Sequence, residues 1–209
     1  MQPQRGPTIL ACNHPNSFLD ALIIGSHYKH PIHFLARGDV FAKPFIARLL
    51  RQLNMMPVHR LSEGREGLKA NEQTFLACLN ILDAGGTVLI FSESICKNQQ
   101  ELLPLKKGTA RLAYMAWHEQ TITALAVKPV ALLYSGFKSL PIGVEVSETA
   151  GIQLNDVGLK EPARFYNDFN LLLRERLNSQ LHSRRDVGNK KEAVANWRKW
   201  LLVVPAGIG

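Results

Sequence analysis

Short apolar runs rich in β-branched residues alternate along this chain with longer stretches of helical period, and that alternation constrains the fold more than any other feature. Apolar runs of five residues bounded by turn residues bury both faces of a strand, and intervening helices give βαβ units and a mostly parallel sheet. Strands are predicted at 8–12, 32–36, 56–59, 87–91 and 124–133, with an antiparallel one at 143–146. Helices are predicted over 17–28, 43–53, 63–84, 108–118, 163–182 and from 190 toward 200. The first is expected to start on a Ser17 cap. The long helix over 63–84 carries Leu68, Phe75, Leu79 and Leu82 on one face and ends at Gly85-Gly86. The helix over 163–182 has a stripe of Phe165, Phe169, Leu172, Leu173, Leu177 and Leu181. The fold class is therefore α/β, with a central mostly parallel mixed sheet flanked by helices.

At 209 residues and 46% hydrophobic, the chain has enough apolar surface for one core without a disulfide or structural metal. Cys12, Cys78 and Cys96 are odd in number and scattered, which indicates a reducing compartment and no zinc site. No internal repeat or linker interrupts residues 1–150, which are assigned to one catalytic core. Residues 151–209 are assigned to basic amphipathic helices, part of the same domain or an extension of it. Of the net charge of +8, five units lie between Lys160 and Lys199. Such an excess suits a polyanionic partner, but no helix-turn-helix, zinc knuckle or aromatic RNP-like strand points to nucleic acid. No apolar run is long enough to cross a bilayer, and the N-terminus lacks a signal-peptide core. The closing Trp200-Leu-Leu-Val-Val-Pro-Ala-Gly-Ile-Gly209 suggests a truncated membrane segment.

Ligands of open α/β sheets bind beyond the carboxyl ends of the strands, so the loops after Cys12, His59 and Phe91 are the places to look for chemistry. The first reads Asn13-His14-Pro15-Asn16-Ser17-Phe18-Leu19-Asp20. A bend at Pro15 brings Asp20 back toward His14, where a carboxylate fixes the tautomer of an imidazole base; the bland alternative is a capping His beside a solvated Asp. The second ends in Arg60, whose planar fork suits a phosphate, against the bland reading of a surface Arg. The third places Glu93, Ser94 and Lys97 after the most apolar strand, an odd location for an acid. The fourth puts Lys106 and Lys107 at a helix N-terminus, mildly unfavourable unless an anion binds there. No HExxH-like pair supports a metal. Cys12 is two residues from His14, but strand cysteines are usually buried hydrophobes.

The order of these segments resembles the glycerophospholipid acyltransferase family, which includes the PlsC-type 1-acyl-glycerol-3-phosphate acyltransferases. The family's Asn-His-(x)4-Asp block resembles Asn13 to Asp20, and its glycine-containing segment ending in Arg resembles Asn54 to Arg60. Its Phe-Pro-Glu-Gly-Thr-Arg block resembles Phe91 to Cys96, its Lys-Lys-Gly helix start resembles Lys106 to Ala113, and its late Val-Pro-Val strand resembles Val127 to Ala131. The departures are an H-x5-D spacing between His14 and Asp20, Asn54 at the second block's Gly position, and Ser92, Ser94 and Cys96 in place of Pro, Gly and Arg.

The resemblance implies acyl transfer from a thioester, acyl-CoA or acyl carrier protein, to a glycerol hydroxyl, with no cofactor. Lysophosphatidic acid is the first acceptor implied, ahead of glycerol-3-phosphate and other lysolipids. It further implies catalysis by His14 and Asp20, with Asn13, Arg60, Glu93, Ser94, Lys97, Lys106, Lys107 and Pro129 contacting substrate. A basic helix at Lys43 to Arg51 and the aromatic-basic Trp197 to Trp200 segment fit the cytoplasmic face of an anionic membrane. The irregular third block leaves open an inactive family member that only binds lipid.

Overall fold

The computed structural model describes residues 6–59, 64–137 and 143–183. Its six-stranded sheet has the order β3-β2-β4-β1-β5-β6, formed by β1 (Thr8–Cys12), β2 (His33–Arg37), β3 (Met55–Val58), β4 (Thr87–Phe91), β5 (Ala126–Tyr134) and β6 (Val144–Glu148). Each pairing is parallel except β5 with β6. The central β1 is buried at every position, as a strand covered on both faces must be.

Alternate residues of these strands feed two cores. Ile9, Ala11, Val88, Ile90, Val127 and Ala131 face three helices: α3 (Gly64–Asp83), α4 (Lys107–Tyr114) and α6 (Pro162–Ser183). The stripe of α6 supplies Phe165, Phe169, Leu173, Leu177 and Leu181, while Leu172 is only partly buried. Ile152 and Val157, the latter closing the short α5 (Leu154–Val157), join the same cluster. Leu10, Cys12, Leu89, Val130, Leu132 and Tyr134 face the other way, toward α1 (Ser17–His27) and α2 (Pro44–Gln52). That layer is thinner: Ala21 and Ile24 come from α1 and Leu50 from α2. The turn between α3 and β4 needs its two glycines, since Gly85 has φ +77° and a Cβ on Gly86 would sit 2.8 Å from the Ile81 carbonyl oxygen.

Among the described residues the predicted strands and helices are present; the short α5 was not predicted, and three further features differ. The helix predicted over 108–118 is α4 followed by a π-helical turn at Met115–Glu119, and a 3₁₀ turn at Gly38–Phe41 precedes α2. Asn16, not Ser17, caps α1, without a side-chain cap bond, and Ser17 has a left-handed φ of 50°. The helix predicted from 190 toward 200 and the Trp197 to Trp200 segment lie outside the described residues.

Candidate active site

Parallel register sets the site. Cys12 ending β1 lies opposite Phe91 ending β4, so the two following loops leave the sheet side by side. Ser92 N–H donates to the Cys12 carbonyl at 2.9 Å, and His14 N–H donates to Glu93 Oε1 at 3.1 Å. Glu93 Oε2 accepts the Leu103 N–H at 3.3 Å, and Lys106 N–H donates to the Ser92 carbonyl at 2.8 Å. Two backbone bonds and the Glu93 carboxylate thus tie the His14 loop to the segment that leads into α4. Burial pushes the Glu93 carboxyl above its ordinary range, opposed by the two N–H donors it accepts.

His14 Nδ1 lies 2.9 Å from Asp20 Oδ2, and the imidazole stacks on Phe91 with ring centroids 3.9 Å apart. The contact expected from the sequence is present despite five intervening residues. The backbone absorbs the longer spacing at Asn16 and Ser17, where the left-handed Ser17 brings α1 round and its N–H meets Cys96 Sγ at 2.9 Å. A left-handed non-glycine residue costs about 1 kcal/mol, repaid by the bonds this turn makes. Asp20 is fully buried. Its Oδ2 also accepts the Asn16 N–H at 2.7 Å, and its Oδ1 accepts the Tyr134 hydroxyl at 2.6 Å. Tyr134, at the end of β5, was not singled out in the sequence, because nothing local connects it to residues more than 110 positions earlier.

The remaining candidates divide. Ser94 is exposed in the Glu93 loop with φ 59°, and Asn54 has φ 56°. Both stand where the resembling family has glycine, and both keep the left-handed backbone that favours it. Ser92 is buried and bonds Thr109 on α4 at 2.9 Å. Lys97, Lys106 and Lys107 are exposed, the latter two at the start of α4.

Asn13 and Pro129 do not line an open site. Asn13 is buried, with its amide bonded to both the carbonyl and the N–H of Leu132 at 3.1 and 2.8 Å, so it staples β1 to β5 and has no free face for substrate. Pro129 is buried within β5 opposite Ala11, short of the strand ends where His14 sits. It faces a bulge in the segment after β6: Val127 pairs with Ile152 and Val130 with Glu148, so Thr149 to Gly151 oppose only Lys128 and Pro129, and the missing N–H falls where the regular ladder is interrupted. Arg60 lies outside the described residues. Cys12 is buried, its thiol donates to the Val130 carbonyl at 3.0 Å, and burial pushes its pKa well up, so it is a packed hydrophobe. Among the described residues no group of His, Cys, Asp and Glu could hold a metal ion.

A geometry of this kind, a partly exposed imidazole beside a buried carboxylate at the carboxyl end of a parallel sheet, can serve as a base with its orienter. Comparison with known proteins bears on the family and the fold. The profile of the family described as Acyltransferase matches residues 1–133. A chloroplastic 1-acyl-sn-glycerol-3-phosphate acyltransferase of Brassica napus is 26% identical over 142 residues, covering 66% of this chain and 36% of the relative. A lyso-ornithine lipid O-acyltransferase of Rhizobium meliloti is 26% identical over 140 residues, covering 67% and 45%. The chain spans between a third and a half of the length of the curated relatives it matches. The crystal structure of the 1-acyl-sn-glycerophosphate acyltransferase PlsC from Thermotoga maritima superposes with a TM-score of 0.62 at 15% identity, over 91% of this chain and 70% of that one, a likeness of fold.

Proposed function

The chain belongs to the acyltransferase family, and from that premise we propose that it moves a fatty acyl chain from an acyl thioester to the hydroxyl of a glycerol-phosphate lipid precursor, with lysophosphatidic acid as acceptor. The donor is acyl-CoA or acyl carrier protein. The observation that carries this reading is the 2.9 Å contact between His14 Nδ1 and Asp20 Oδ2. With Nδ1 held by the carboxylate, Nε2 is the nitrogen that meets the substrate. It takes the acceptor's hydroxyl proton as the oxygen attacks the thioester carbon. The tetrahedral intermediate then expels the thiolate, which recovers that proton from the imidazolium, and no acyl-enzyme forms. An imidazole carries both an acceptor and a donor nitrogen and so serves both steps. The oxyanion is stabilised by backbone N–H groups in the first turn of α1, whose cap supplies no side-chain bond. Glu93 holds the His14 backbone in place, and Arg60, Lys97, Lys106 and Lys107 attract the acceptor's phosphate.

The protein is also proposed to work at an anionic membrane surface on the cytoplasmic side. Among the described residues no helix is long and apolar enough to cross a membrane. The outward faces of α1 and α2 nevertheless expose Phe18, Leu22, Phe45 and Leu49, with Arg48 and Arg51 beside them, the composition of an interfacial helix. The exposed apolar residues fall mainly in the first two turns of each helix, at the end of the sheet where His14 lies.

The test supplies palmitoyl-CoA or palmitoyl-acyl carrier protein with lysophosphatidic acid, glycerol-3-phosphate or a lyso-amino-acid lipid in separate arms and identifies the acylated product. The last arm answers to the similarity with lyso-ornithine lipid O-acyltransferases. Phosphatidic acid from the first arm supports the reading. Product in another arm alone reassigns the acceptor, and none in any arm, with either donor, indicates a family member that binds lipid without catalysis.

A further inference from the structure

Asp20 is a fully buried carboxylate whose charge is met by hydrogen bonds; among the described residues its ion-pair partner is His14 alone. Buried carboxylates persist only when their lone pairs are satisfied. Two donors fall on Oδ2, the imidazole at 2.9 Å and the Asn16 N–H at 2.7 Å. Oδ1 would be left bare but for the Tyr134 hydroxyl, 2.6 Å away. The tyrosine is itself fixed. It is buried, its ring stacks on Phe137 at 5.3 Å between centroids, and its carbonyl accepts from the Gln100 side chain.

We propose that Tyr134 is a positioning residue of the reaction, whose hydroxyl sets the plane of the Asp20 carboxylate and limits how strongly that carboxylate holds the His14 imidazole. This rests on the His14–Asp20 reading above. An Asp carboxylate turns freely about its last torsion, so one donor on each oxygen is the minimum that fixes its plane. With Oδ1 held by the phenol and Oδ2 by Asn16, the remaining lone pair of Oδ2 points at Nδ1. Each donor also draws charge from the carboxylate. A carboxylate with three donors stabilises an imidazolium less than one with two, so the phenol tempers the base as well as aiming it.

The surroundings keep the effect attributable. Burial, the bond to Asp20 and the charge of Asp20 all push the Tyr134 phenol up, so it stays a donor throughout the working range. Among the described residues, Cys12 on β1 and Glu93 and Cys96 in the loop after β4 also sense the Asp20 charge. Burial raises both thiols, which stay neutral. Glu93 accepts its bonds from His14 and Leu103 and has none from Tyr134, so an acid limb set by Glu93 would not respond to a change at 134.

The experiment measures kcat/KM against pH for palmitoyl-CoA and lysophosphatidic acid in wild type, Tyr134→Phe, a protein with 3-fluorotyrosine at position 134, and His14→Ala. Tyr134→Phe keeps the ring, and fluorination keeps the whole side chain while making the phenol a stronger donor. The expected result for Tyr134→Phe is a kcat lower by about 10-fold or more with KM for both substrates within about 2-fold, and an acid limb moved up by about half a pH unit or more. For the fluorinated protein the limb moves down. The downfield proton resonance of the His14 Nδ1–H reads the same bond without turnover, and it shifts in opposite directions in the two proteins. Limbs and resonance at wild-type positions, with only yield or thermal stability altered, would overturn the proposal and leave the His–Asp reading standing. Turnover surviving in His14→Ala, or absent from wild type, overturns both.

Discussion

Glu93 is the residue whose chemistry is most at odds with its surroundings. It is a nearly fully buried acid that holds the loops on both sides of the site through the N–H groups of His14 and Leu103. Because its folded-state pKa is raised above the ordinary 4.5, the folded protein binds a proton there more tightly than the unfolded chain does. Its contribution to stability is therefore greatest below about 4.5 and falls as pH rises through the raised value. Glu93→Gln cannot titrate at this position. The unfolding free energy of wild type minus that of Glu93→Gln, followed by urea denaturation, is expected to decline with pH across this window and to be flat above it. A difference rising with pH would contradict the account. Activity responds in the other direction: protonating Glu93 turns one acceptor oxygen into a donor and releases one of the two N–H groups, loosening the His14 loop as the solution becomes acidic.

At the scale of elements, the two faces of the sheet are covered unequally. The side of α3, α4 and α6 is a full core, in which Phe165 and Phe169 are wholly buried and each contributes about 2–3 kcal/mol of apolar transfer. On the other side α2 buries only Ala47 and Leu50, while Phe45 is 81% exposed and Ile46, Leu49 and Leu53 are exposed beside it. Apolar side chains on both faces of one short helix, with Arg48 and Arg51 on the same element, are hard to explain in water alone. Replacing Phe45 and Leu49 by serine should cost little stability, since neither is in the core. Sedimentation with vesicles containing anionic lipid at low salt should fall by about 10-fold or more, given that each buried apolar side chain contributes about 1.5–3 kcal/mol. Unchanged sedimentation would remove α2 from the contact. This face was half legible from the sequence. The basic helix at 43–53 stood out, but which of its apolar residues faced outward depended on how α2 sits over β2 and β3.

For the whole molecule, local signals were legible and long-range pairings were not. The continuous apolar runs of β1 and β4 could only be buried parallel strands, and the His14-to-Asp20 spacing needed only one turn to close. The surroundings of Asn13 and Pro129 were out of reach because their partners are remote: Leu132 takes the Asn13 amide, and a bulge at Thr149 to Gly151 faces the proline. Tyr134 was invisible for the same reason, being brought to Asp20 only when β5 pairs with β1. The site is thus assembled by the sheet from distant loops, and the central claim is that this assembly makes His14 the base of acyl transfer. The most direct measurement is acceptor-dependent release of free thiol from palmitoyl-CoA by wild type and His14→Ala side by side, with lysophosphatidic acid present or absent. The account predicts release that requires acceptor in wild type and falls by about 100-fold or more in the variant. Equal release from the two proteins, or release independent of acceptor, would contradict it.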